Sequence, residues 1–255
     1  MKLSENIEVE SFFNDFVKDF GGELVSEIIG HSTTFKNADY LFRKENVIAE
    51  LKCLKKNLFE DKEYSYKFNQ LTSRWIDKGL INGSQLLQWL FGREILPQKC
   101  YKDIIKLAKP QIERALHKAN KQIKETKEYF NLKDAKGLVL IANDGNYAFE
   151  NKHFFLLICE ILQMPQFKNS VIDGYVYFTV NMTARIPDNK LDLSIWAPLY
   201  REEKTMLTDF VNDLGDKFCK YHLNFIGEPL DNHTKHENPD TMFKMKSIPK
   251  NYYKR

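Results

Sequence analysis

The stretch "NADYLFRKENVIAELKCL", Asn37 to Leu54, decides the fold of this chain. Two apolar segments, "ADYLF" and "NVIAELKCL", flank the short polar break Arg43-Lys44-Glu45, the pattern of two strands joined by a tight turn. Charged residues nevertheless ride inside both: Asp39 in the first, Glu50 and Lys52 in the second. Side chains two apart on a strand project from one face, so Glu50 and Lys52 point together. If Lys44 and Glu45 form a two-residue loop, Arg43 pairs with Asn46, and Asp39 falls opposite Glu50 on the same face, with Cβ atoms about 5 Å apart. A four-residue loop pairs Asp39 with Lys52 on that face. A three-residue loop slips the register and turns Asp39 to the other side.

As a string, Glu50-Leu51-Lys52 says little, because the chain repeats the ExK pattern at Glu60, Glu125, Glu150 and Glu202. Only the copy at Glu50 lies within an apolar, β-branched run. Two carboxylates facing each other across a ladder are destabilising unless positive charge lies between them. Either Lys52 neutralises one while the other meets solvent at a sheet edge, or a divalent cation is held. Carboxylate oxygens suit a hard cation such as Mg²⁺, which keeps several waters and takes one or two carboxylates plus substrate phosphate oxygens. A lysine beside such a site orients water for attack, which is the chemistry of phosphodiester hydrolysis.

Outward from this hairpin, "VESFFNDFVKDFGG" places Val9, Phe12, Phe13, Phe16, Val17 and Phe20 at helical spacing before a glycine stop, and "ELVSEII" reads as a strand. Residues 57 to 109 read as a helical insertion. Pro110 suits the first turn of a long helix, "PQIERALHKANKQIKETKEYF", with Ile112, Ala115, Ala119, Ile123, Thr126 and Phe130 on one face. "AKGLVLIANDGN" is a buried-type strand ending in turn residues. "NKHFFLLICEIL" is an apolar helix, "SVIDGYVYFTV" and "LDLSIWAPL" are strands, and "EKTMLTDFVNDLGDKFCKYH" is a final helix. The order predicts a single α/β domain over residues 1–255, with a central mixed sheet flanked by helices. A helical insertion at about 57–109 and a C-terminal extension with a flexible basic tail at about 232–255 complete it.

The helix, the strand, the Asp-bearing strand and "VIAELKCL" resemble the core of the PD-(D/E)xK (restriction-endonuclease-like) nuclease superfamily, over roughly residues 8 to 54 and 110 to 145. In that resemblance Asp39 matches the first acid, Glu50 the second and Lys52 the lysine, and the carbonyl of Leu51 is expected to join Asp39 and Glu50 as a metal ligand. The family's name-giving proline is replaced by Ala38, as in many members. Some members add a glutamate on the first helix, for which Glu10 is the candidate, although the helix dipole alone also favours an acid there. Gln122, on the inward side of the long helix, matches a residue that reaches the scissile phosphate or the attacking water in similar nucleases; a position at the core boundary accounts for it equally. The resemblance implies a Mg²⁺- or Mn²⁺-dependent endo- or exonuclease acting on nucleic acid, with DNA favoured over RNA, and a place in restriction or anti-phage defence. The alternative on the same fold is a catalytically inactive nucleic-acid-binding or interaction module. For a nuclease without a recognition domain of its own, the resemblance implies a homodimer or a partner protein supplying specificity.

Charge distribution agrees in part. The net charge of +3 is mild, but residues 99 to 127 hold nine Lys/Arg against three acids, and the last 24 residues hold six against two. Solvated helix faces produce such runs, as does a phosphate track; Lys118, Lys121 and Lys124 are the nucleic-acid-binding candidates. No run approaches the roughly 18 to 20 apolar residues of a membrane span, and "MKLSENIEVE" has no apolar signal core, which predicts a soluble cytoplasmic protein. Cys53, Cys100, Cys159 and Cys219 are widely spaced, as expected of reduced thiols. Cys219, His222, His233 and His236 provide zinc-type ligands, but one cysteine on an amphipathic helix is a poor start for such a site. Asn143 and Asp144 read as ordinary turn residues. Walker A, GxGxxG and GxSxG patterns are absent from the sequence.

Overall fold

The fold follows from how each apolar stripe finds cover, as seen in a computed structural model that describes residues 7–30, 36–54, 62–90, 96–144, 151–185, 192–201, 206–229 and 246–249. Helix α1 (Val9–Phe20) begins where the Glu8 carboxylate accepts a hydrogen bond from the Ser11 N–H at 2.7 Å. It stops at Gly21, whose φ of 97° is open to glycine at little cost. Strand β1 (Glu23–Leu24), helix α2 (Val25–Ile29), and strands β2 (Tyr40–Phe42) and β3 (Val47–Leu54) follow. Helices α3 (Lys62–Asp77), α4 (Gly83–Leu90) and α5 (Gln98–Tyr129) carry the chain back to strand β4 (Lys136–Asn143). Then come α6 (Asn151–Leu162), β5 (Gly174–Thr179), β6 (Met182–Arg185), β7 (Asp192–Leu193), β8 (Trp196–Tyr200), α7 (Met206–Ile226) and β9 (Lys246–Pro249).

Six strands form one mixed open sheet in the order β1-β2-β3-β4-β5-β8, in which β3, β4 and β5 are mutually parallel and the outer pairings antiparallel. The parallel centre must be buried on both faces, and it is. One face packs Ile48, Val139, Ile141, Tyr175 and Tyr177 against the inward stripes of α3, α5 and α6. The other packs Tyr40, Val47, Ala49, Leu138 and Val176 against α1 and α7, where Phe218 stacks among Phe12, Phe13 and Phe16. The two helical layers and the sheet make an α/β fold with seven α-helices among the described residues.

Four expectations change. "ELVSEII" is not a strand throughout. Only Glu23 and Leu24 pair, because β2 offers just Leu41 and Tyr40 opposite them, and from Val25 the chain coils into α2. The long helix does not start at Pro110 but runs from Gln98 to Tyr129 with the proline inside it. The buried stripe Ile104, Ala108, Ile112, Leu116 continues through the proline, so packing outweighs a local cost of about 3 kcal/mol. The expected insertion of 57–109 therefore ends within α5, and its Tyr64, Phe68, Leu71 and Trp75 share one core with the sheet. The expected loose tail contains β9, which pairs with β6 in a separate three-stranded sheet with β7; residues 230–245 and 250–255 lie outside the described residues.

Candidate active site

The hairpin sets the register. Tyr40 pairs with Ala49, Leu41 with Ile48 and Phe42 with Val47, around a turn centred on Lys44 and Glu45 in which the Asn46 N–H reaches the Arg43 carbonyl at 3.3 Å. Extended by one residue, the same register sets Asp39 beside Glu50. Asp39, Glu50 and Lys52 thus share the sheet face covered by α5, while Ala49 and Leu51 face α1 and α7.

At Asp39 strand β2 has ended, and the aspartate side chain takes the place of a ladder carbonyl: its Oδ2 accepts the Leu51 N–H at 2.8 Å. On a strand a residue's N–H and C=O point to the same side, so the Leu51 carbonyl faces the same gap. The backbone around Asp39 is fixed from both flanks. Its carbonyl accepts the Val25 N–H at 2.9 Å, and the preceding Ala38 N–H donates to the Thr126 hydroxyl of α5 at 2.8 Å. A proline at position 38 has no N–H to give, so this contact requires a residue other than proline there.

Glu50 is 1% exposed. Its Oε1 is ion-paired with Lys52 Nζ, and its Oε2 is buried without a hydrogen-bond partner. Burial, then the neighbouring Asp39 charge, pushes the Glu50 carboxyl up to about 8, with Lys52 opposing. Burial likewise raises Asp39, opposed by the Leu51 N–H and by Lys52. Two carboxyl groups so placed are stabilised by a shared proton or by positive charges, of which Lys52 already supplies one. Lys52 is held from its other side by Gln122, whose Oε1 accepts from Nζ at 2.9 Å while its Nε2 donates to the Asn37 carbonyl at 2.8 Å. Gln122 and Thr126, one helical turn apart, clamp the segment leading into Asp39.

Asp39, Glu50, Leu51, Lys52 and Gln122, all expected from the sequence, gather at one place, together with Thr126, Asn37 and Val25, which were not expected there. The i, i+4 spacing of Gln122 and Thr126 was the available signal for Thr126. Glu10 is exposed on α1, which packs on the opposite face of the sheet, and its charge acts weakly on Asp39. Lys118 is exposed one turn from Gln122, on its side of the helix. Lys121 and Lys124 are turned away by roughly 100° and 200°. Each is partly compensated along the helix, Lys121 by Glu125 at 3.5 Å and Lys124 by Glu128 at 4.0 Å. The three lysines therefore do not make one track.

The donor set suits a hard cation: one orphaned carboxylate oxygen, a second carboxylate and a backbone carbonyl. It does not suit a closed tetrahedral site, and among the described residues no group of three or more His, Cys, Asp or Glu side chains is placed to hold a metal. The zinc-type residues do not form one either. His222 is buried, stacks on Phe218 and lies 3.2 Å from Ser194 Oγ through Nδ1, while His233 and His236 fall outside the described residues. All four cysteines are free thiols. Asn143 is not a turn residue but the buried end of β4, where its Nδ2 donates to the Tyr177 hydroxyl at 2.9 Å. Comparison with protein-family models, curated proteins and solved structures finds no match.

Proposed function

We propose that the protein is a divalent-metal-dependent nuclease on a restriction-endonuclease-like core, hydrolysing phosphodiester bonds with DNA favoured over RNA. The observation that carries this reading is the meeting of Asp39, the orphaned Glu50 Oε2 and the Gln122-anchored Lys52 on one sheet face. Asp39, Glu50 and the Leu51 carbonyl would hold Mg²⁺ or Mn²⁺. When bound, such a cation supplies Lewis-acid stabilisation of charge developing on the phosphate and acidifies water. Lys52 Nζ, 21% exposed as a side chain, orients the attacking water, and Gln122 fixes the ammonium so that it is not free to follow Glu50. Lys118 offers a phosphate contact one turn along. The chemistry attacks phosphorus and does not need a 2′-hydroxyl, so DNA is favoured only by the family resemblance. Incubating supercoiled plasmid with the protein and Mn²⁺ tests the reading. Nicking is expected from the native chain and is lost in Lys52→Ala, whereas equal nicking by both removes Lys52 from the mechanism.

A second reading, a nucleic-acid-binding module without turnover, draws on the closure of Glu50 by burial and by its ion pair. Tight DNA binding by a native chain that nicks nothing in Mg²⁺ or Mn²⁺ selects it.

A further inference from the structure

The helical segment between β3 and α5 forms a cationic groove that the catalytic reading does not use. On α3 and the turn that closes it, Lys67, Arg74 and Lys78 are spaced by seven and four residues, and the Lys78 N–H still reaches the Arg74 carbonyl at 3.1 Å, so they share one face; on α5, Lys99 and Lys106 do the same. The two rows line a groove of about 360 Å³. The one acid among the described residues that line it, Asp103, accepts a hydrogen bond from the buried Trp75 indole N–H at 3.1 Å, which ties the two helices together. Lys67 is held by Glu63 at 2.5 Å. Arg74, Lys78, Lys99 and Lys106 have no carboxylate within 4 Å among the described residues, and all four are exposed. Uncompensated cations facing one another across a groove repel, which a polyanion relieves.

The groove's place on α5 points to the same ligand as the catalytic centre. Lys99 and Asp103 each precede a buried residue of the α5 stripe, Cys100 and Ile104. Lys118 and Gln122 precede Ala119 and Ile123 in the same way. All four therefore lie on the same side of the buried stripe, which itself turns by roughly 140° about the helix axis between Lys99 and Gln122. From Lys106 to Gln122 is about 24 Å along the axis at 1.5 Å per residue, or roughly seven steps of 3.4 Å on a nucleic-acid strand. From Lys67 to Lys78 the α3 row spans about 16 Å, close to five such steps.

We infer that this groove is a second phosphate-backbone subsite, gripping the nucleic-acid substrate about 24 Å along the α5 axis from Gln122; the identity of the ligand rests on the nuclease reading. It positions substrate without reading sequence, since lysine and arginine contacts to phosphate carry no base information. The test is fluorescence anisotropy on a 20-base-pair duplex across a salt series, in the Lys52→Ala background so that the probe stays intact. Arg74→Glu with Lys106→Glu should weaken binding at least about tenfold and flatten the log–log salt slope by about 1.8. The control pair Lys18→Glu with Lys217→Glu changes net charge equally on helices α1 and α7 across the sheet. If the groove pair binds no more weakly than the control, the inference is overturned and the groove serves another partner, such as an acidic protein segment. Should the Glu pair fail to fold by circular dichroism, Arg74→Gln with Lys106→Gln carries the same comparison with a smaller expected loss. Groove-dependent binding with no Mn²⁺-dependent cleavage by the native chain keeps the groove and removes the nuclease reading. Cleavage with an unaffected groove pair does the reverse.

Discussion

Asp39 shows how little a side chain's identity means without its restraints. Its carboxylate substitutes for a strand that has ended, and Val25, Leu51 and, through Ala38, Thr126 hold it there. Thr126→Val keeps the shape but leaves the buried Ala38 N–H unpaired, so it should cost about 1 to 3 kcal/mol in denaturant unfolding. It should also lower kcat with KM little changed, since the residue touches no substrate. Glu50 supplies a pH signature. Its folded-state carboxyl titrates near 8 against the ordinary value of 4.5, so the folded state binds more protons than the unfolded between those limits. The contribution of Glu50 to the stability of the metal-free protein is full below about pH 4.5 and is lost as pH rises towards 8, by at most about 1.4 kcal/mol per pH unit. Glu50→Gln should remove that slope from urea titrations run from pH 5 to 8; an unchanged slope assigns it to another group. The three polar residues were legible because strand alternation forces Glu50 and Lys52 to one side. Thr126 was not, because a buried threonine on an amphipathic helix gives no sign of whose N–H it accepts.

At the scale of elements, the hairpin was legible and the long helix only in part. A polar break between two apolar runs fixes the turn centre, and register follows from it. Pro110 misled because a proline is compatible with a first turn. The sequence alone does not weigh the continuous stripe from Ile104 to Leu116 against the loss of one helix hydrogen bond. That balance is measurable. Pro110→Ala restores an N–H for the Lys106 carbonyl on an exposed position and should raise stability by up to about 3 kcal/mol, several degrees in Tm. At Gly137, where a Cβ would sit 2.0 Å from the Val171 carbonyl oxygen, the opposite holds. Gly137→Ala should destabilise by about 1 to 3 kcal/mol, because the opposing atom is backbone and has little room to yield. "ELVSEII" failed as a strand for a non-local reason: the length of β2, not the composition of the segment, limits how many residues pair.

For the whole molecule, the three-layer arrangement leaves the carboxylate pair beneath α5 and sets a cationic groove further up the same helix. Charge counting along residues 99–127 flagged this helix but not its geometry. Of the counted cations, Lys99 and Lys106 line a groove shared with α3, Lys118 lies beside Gln122, Lys121 and Lys124 are compensated by acids one turn on, and Lys109 and Lys127 pair with Glu160 and Asp173. Among the described residues no helix is long and apolar enough to cross a membrane. Whether Asp39 and Glu50 share a cation once their proton is removed is measured most directly by calorimetric titration of Mn²⁺ at pH 8.5. The native chain should bind Mn²⁺ at a site that Asp39→Ala loses, with affinity falling as pH is lowered and Glu50 regains its proton. Absence of binding in the native chain, or equal binding in both, contradicts a shared cation.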